Sequence, residues 1–84
     1  MVSKTIKLNL ENGLNTAAVS KIINFTKNFS STITMRHEGR IANCKSLISL
    51  INLGAVPFSE VEIEVEGSNE IEELSDFIKF LQSM

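Results

Sequence analysis

The chain of 84 residues has no Trp and no Tyr, and only one Cys, one Pro and one His. Each shortage closes a class of function. Cys44 alone cannot form an internal disulfide. Without a second Cys or a neighbouring His it also lacks the ligand spacing of a zinc site, so a buried or half-buried thiol is expected. The five Phe residues, at 25, 29, 58, 77 and 80, all fall outside the strand-like segments. That placement excludes an RNA-recognition sheet, which needs aromatic rings on its face. No run of Lys or Arg exists, and the net charge of -2 gives no attraction to phosphate backbones or anionic lipid. Neither nucleic acid nor membrane is an expected partner. No apolar run approaches the ~20 residues that span a bilayer. The opening V-S-K-T-I-K-L alternates where a secretory signal would be continuously apolar. These absences predict a cytoplasmic protein.

What is present is the composition of a folded domain, with 43% hydrophobic and 21% charged residues. One domain over residues 1–84 is expected, burying about 60–65% of its unfolded surface. From Val2 to Leu10, Ile6, Leu8 and Leu10 alternate with Lys7 and Asn9, which predicts a first strand. Glu11-Asn12-Gly13 is turn chemistry. Val19, Ile22, Ile23 and Thr26 then recur at helical spacing, predicting a helix to about Asn28. Ile33 and Met35 alternate with Thr32, Thr34 and Arg36, and Gly39 suits a tight hairpin into a short strand from Ile41 to Asn43.

Ser46 precedes L-I-S-L-I-N-L-G, a two-turn helix closed by Gly54 at the usual left-handed C-terminal position. Val61, Ile63 and Val65 alternate with Glu62, Glu64 and Glu66, a strand with a solvated acidic face. The last segment places Ile71, Leu74, Phe77, Ile78 and Leu81 on one stripe, with Asn69 and Glu72 at capping-box spacing. The order is β-α-β-β-α-β-α. Because every strand has one apolar face, a two-layer α+β domain follows, an antiparallel sheet covered by helices on one side.

Most chemically suggestive residues read as structure. His37, between Arg36 and Glu38 at the hairpin, is expected to be a solvated loop residue. The carboxylates at 60, 62, 64, 66, 70, 72, 73 and 76 read as a solvated face. No constellation for nucleophilic catalysis, phosphate cradling or dinucleotide binding is present, so no autonomous enzyme, cofactor or metal site is expected. The short helix differs. Leu47, Ile48, Leu50, Ile51 and Leu53 cannot all face one core at 100° per residue. Leu50 and Leu53 share the anchoring face, which leaves Leu47, Ile48 and Ile51 as an outward apolar patch suited to docking a partner. Ser46 is a natural N-cap, and the helix's positive end would equally favour a phosphoserine there.

The stretch N-C-K-S-L-I-S-L-I-N-L-G from 43 to 54 resembles the regulatory-serine segment of the HPr family, phosphocarriers of the bacterial sugar phosphotransferase system. Gly13, Gly39, Lys45-Ser46, Leu53-Gly54 and V-E-I-E-V-E-G also fall where that family has equivalent features, so the resemblance covers essentially the whole chain. It implies an open-faced sandwich of four antiparallel strands in the order 1-4-2-3, covered on one side by three helices. The family's active-site motif reads G-I-H-A-R-P-A or close to it, and here the matching residues are Gly13-Leu14-Asn15-Thr16-Ala17-Ala18-Val19. Asn15 thus stands at the phosphohistidine position, Ala17 at the arginine that pairs with the phosphoryl group, and Ala18 at the proline. An amide nitrogen has its lone pair delocalised into the carbonyl and cannot replace imidazole as phosphate acceptor. Ala18 does add a backbone N–H, a donor for a small anion at the helix end.

The resemblance further implies Ser46 as a site of regulatory phosphorylation by HPr kinase/phosphorylase. It implies Lys45, Leu47, Ile48 and Ile51 as a partner-binding surface for enzyme I or a transcriptional regulator of the catabolite-control type. Catabolite-repression HPr similarly lacks the histidine and keeps the serine, but this chain has lost the arginine as well. The expected function is regulatory binding without histidine phosphotransfer. The alternatives are a phosphocarrier with another acceptor and an unphosphorylated decoy.

Overall fold

Extended, one-face-apolar segments and amphipathic helices alternate along the chain as their periodicities require. The computed structural model describes residues 1–54 and 56–84. Strands β1 (Val2–Lys7), β2 (Thr32–His37), β3 (Arg40–Asn43) and β4 (Glu60–Glu66) form one antiparallel sheet in the order β1-β4-β2-β3. Helices α1 (Thr16–Thr26), α2 (Leu47–Leu53) and α3 (Glu70–Ser83) connect and cover them. The element order, the strand order and the one-sided cover match the expected open-faced sandwich. β4 lies between β1 and β2; Val61, Ile63 and Val65 lie beside Ile33 and Met35 on the buried face of the sheet and share the core with Phe77 and Leu81.

β1 stops at Lys7, three residues short of the expected Leu10. Its partner strand begins at Glu60, and only the Leu8 N–H still reaches across, to Ser59 O at 2.8 Å. Leu8 and Leu10 nevertheless stay buried, so the apolar alternation outlasts the ladder. α1 ends at Thr26, two residues earlier than expected. The Thr26 hydroxyl there lies within bonding distance of both Ile22 O (3.0 Å) and Cys44 O (3.1 Å), tying the helix to the chain leaving β3. The hairpin loop is Glu38-Gly39, with φ of 48° and 81°. Both positive angles match the twist of the flanking strands, and Gly39 takes the second without strain.

α3 departs from its expected start. Asn69 makes no side-chain cap bond, so the capping box does not form; Glu70 Oε2 accepts from the Gly67 N–H at 3.3 Å instead. Ile71, assigned by periodicity to the buried stripe, is 73% exposed. At 100° per residue it lies about 80° round from Leu81, on the rim of the stripe, in the first turn of the helix.

Glu73 fastens α3 to the segment entering β2. Its carboxylate accepts from the Ser30 N–H at 3.0 Å, the Ser31 N–H at 2.9 Å and the Ser30 hydroxyl at 3.4 Å. Burial raises its pKa, but donors from Ser31 and Ser30 outweigh this and hold it below the ordinary carboxylate value. A folded pKa below the unfolded one adds stability that is present above the unfolded value and lost as pH falls through the folded value. Glu73→Gln is therefore expected to lower stability at neutral pH by about 0.5–1 kcal/mol. It should also flatten the acid decline below about pH 4.3. Urea midpoints over a pH series check this, and parallel curves for parent and variant would refute it.

Candidate functional site

Two helix N-termini carry the residues singled out by sequence. At the first, the chain leaving Leu8 turns through Gly13, whose N–H reaches Leu10 O at 3.1 Å and whose φ is 62°. Asn15 follows in an extended conformation, φ -82° and ψ 175°, as the N-cap of α1. Its Oδ1 accepts from the Ala18 N–H at 2.8 Å and its carbonyl from the Val19 N–H at 2.9 Å. The Ala18 donor that sequence left open for an anion is thus already used by Asn15. A shallow hollow of about 410 Å³ adjoins this turn, lined in part by Asn9, Asn12, Asn15 and Ala17. Its two charged side chains, Glu11 and Lys21, are of opposite sign, so they supply no net positive charge to a phosphoryl group.

At the second terminus, Ser46 caps α2 from φ -118° and ψ 119°, with Oγ accepting from the Ser49 N–H at 3.3 Å. Its carbonyl accepts from the Leu50 N–H at 3.1 Å. The approach is set by Asn43, whose Oδ1 accepts from the Lys45 N–H at 2.9 Å. Sequence reasoning gave Asn43 no role, although an Asn two residues before a turn amide is a recognisable signal. Gly54 closes α2 at φ 71°. Leu50 and Leu53 are buried, while Leu47 (44%), Ile48 (71%) and Ile51 (45%) stand in solvent. The outward patch therefore exists as a surface beside Ser46. Lys45 is placed differently from its three companions: its ammonium donates to Phe29 O at 2.6 Å and is committed to holding α2 against the end of α1.

His37 is not a loop residue. The two-residue hairpin makes it the last residue of β2, with its side chain 10% exposed and Nδ1 3.2 Å from Glu60 O. A carbonyl can only accept, so Nδ1 carries the proton in that contact. Cys44 is fully buried, and burial pushes its thiol up to about 12, so it is not a nucleophile at neutral pH. Among the described residues no group of three or more His, Cys, Asp or Glu is placed to hold a metal. No helix there is long and apolar enough to cross a membrane. Val56 and Phe58, exposed in the loop after α2, were not singled out by sequence; Phe58 holds φ 59°, a costly angle for a bulky residue.

The family description "PTS HPr component phosphorylation site" matches the chain over residues 2–83. The chain belongs to the HPr family. It is 34% identical over 84 residues to the phosphocarrier protein HPr of Buchnera aphidicola subsp. Baizongia pistaciae, covering all of this chain and 99% of that one. It is 27% identical over 82 residues to the HPr-like protein Crh of Halalkalibacterium halodurans, covering 98% of each. The crystal structure of HPr-C-His from Thermoanaerobacter tengcongensis shares the fold with a TM-score of 0.92 at 24% identity, over 99% of this chain and 93% of that one. These relatives are named as phosphocarrier or HPr-like proteins and not as enzymes.

Proposed function

We propose that this protein is a regulatory member of the HPr family that carries no phosphate on histidine, binds protein partners, and is switched by phosphorylation of Ser46. The observation that carries this reading is Asn15, whose Oδ1 caps Ala18 N–H at 2.8 Å where the family has its phosphate acceptor. Its amide nitrogen offers no free lone pair to a phosphoryl donor. Ala17 brings no cation to the first turn of α1, and the hollow beside it is electrically balanced. By contrast α2 keeps its serine cap and its outward Leu47, Ile48 and Ile51. A phosphate on Ser46 would place about two negative charges at the positive end of α2 and at the border of that patch. Partners of the phosphotransferase and catabolite-control type fit this surface: HPr kinase/phosphorylase, enzyme I or a transcriptional regulator.

Intact-mass spectrometry tests the proposal. HPr kinase with ATP is expected to add one phosphate, absent from Ser46→Ala, and enzyme I with phosphoenolpyruvate to add none. An acid-labile phosphate from enzyme I would make the protein a carrier through another acceptor. No phosphate from the kinase would remove the switch. The decoy reading has one observation of its own, since the Ser49 N–H bond explains a serine at 46 without phosphate. Unchanged partner binding by both Ser46→Ala and Ser46→Asp would favour it.

A further inference from the structure

The free edge of β1 and the adjoining side of α3 form a surface that the reading above leaves unused. β1 ends the sheet order, so one side of its backbone has no neighbouring strand. The Leu8 N–H meets Ser59 O in the register that pairs Lys7 with Glu60. Hydrogen-bonded positions alternate along an antiparallel pair, so Ser3, Thr5 and Lys7 turn their N–H and C=O groups to the open edge. On the helix side of that edge lies a trough of about 370 Å³, lined by Lys4 of β1 and by Ile71, Leu74, Ile78 and Lys79 of α3. Ile71 stands 73% exposed in it, and Leu74 is half-buried. Among the described residues neither Lys4 nor Lys79 joins an ion pair.

We propose that this edge docks an extended segment of a partner protein with apolar and acidic residues alternating along one face. The segment adds to β1 as a fifth strand, seats an apolar side chain over Ile71 and Leu74, and sets a carboxylate between Lys4 and Lys79. Main-chain bonds to the open edge supply affinity, and the period-2 spacing of side chains supplies the pattern that is read. Charge selects the occupant. A second copy is disfavoured, because pairing two β1 edges about a twofold axis puts Lys4 and Lys79 of both copies on one face, while V-S-K-T-I-K holds no acidic residue to offset them. An acidic strand reverses the sign of that interaction. The proposal is independent of Asn15 and Ser46.

The test is an NMR titration of ¹⁵N-labelled protein with the acetylated, amidated heptapeptide TITETIT, whose Ile and Glu side chains share one face when extended, and with TITKTIT. Saturable amide shifts are expected at residues 3–7 and 71–79 with the Glu peptide, together with slowed hydrogen exchange at Ser3, Thr5 and Lys7. The Lys peptide should bind about three- to tenfold more weakly. Lys4→Glu combined with Lys79→Glu alters exposed positions only; with far-UV circular dichroism unchanged, it should invert the preference between the two peptides. Absence of saturable shifts at β1 and α3, an equal response to both peptides, or shifts centred on residues 47–51 would overturn the proposal. So would concentration-dependent shifts at β1 without peptide, which would assign the edge to a second copy.

Discussion

Phe77→Ala is expected to remove about 3–5 kcal/mol of folding stability. Phe77 is the largest fully buried side chain among the described residues. It lies near-parallel to Phe25, with centroids 6.4 Å apart and planes at 17°, and so joins α3 to α1 above the sheet. An 84-residue domain has about 4–13 kcal/mol in total on a per-residue scale. The variant should therefore be partly unfolded at physiological temperature, its urea midpoint falling by a large fraction with the m-value unchanged. Phe80→Ala provides the contrast. Phe80 stacks on Phe25 at 4.1 Å but is only half-buried, so part of its surface is already in water. Its loss should cost less than half as much. Equal costs for the two would mean that the aromatic stack, and not the deep core, holds α3 in place.

The sheet was readable because each strand buries one face only: Ile33 and Met35, or Val61, Ile63 and Val65, announce both strand and orientation by their spacing. Ser46 and Gly54 were readable for a different reason. Capping is decided within one turn of the residue itself, so local sequence contains the whole signal. Where sequence failed, the deciding partner lay far along the chain. Ile71 belongs to the apolar stripe of α3, yet its burial depends on where the sheet edge lies. Asn69 has the composition of a cap yet makes no cap bond, and the start of α3 is tied instead by Glu73 to the Ser30 and Ser31 amides, partners that local sequence does not reveal. His37 moved from loop to strand because the hairpin closes over two residues. Lys45, which the resemblance put with the partner-binding surface, has its ammonium bonded to the Phe29 carbonyl just past α1, a contact that only the fold brings about.

That last contact bears on how the two N-termini relate. The Lys45 ammonium bonds to Phe29 O, and the Thr26 hydroxyl reaches Cys44 O, so the start of α2 is held against the far end of α1. Asn15 is at the opposite end of α1, eleven residues and about 16 Å of helix away. Ser46 and the patch beside it therefore rest on contacts in which Asn15 and Ala17 take no part. Replacing Asn15 and Ala17 should therefore leave the start of α2 undisturbed.

The double variant Asn15→His, Ala17→Arg is accordingly expected to gain an acid-labile phosphate from enzyme I and phosphoenolpyruvate where the parent gains none. Histidine restores a ring nitrogen with a free lone pair at the start of α1. Arginine at 17 enters an exposed first-turn position, one turn before Lys21, and tips the hollow from electrical balance to net positive. Losing the Asn15 cap costs about 1 kcal/mol, which lowers the urea midpoint without unfolding the domain. Asn15→His alone should be labelled about tenfold more slowly, since the phosphoryl group then lacks its charge-assisted bond. Kinase labelling at Ser46 should be the same in all three proteins. If the double variant folds, accepts phosphate at Ser46 and still takes none from enzyme I, the two substitutions do not account for the loss of carriage. The difference would then lie in docking to enzyme I.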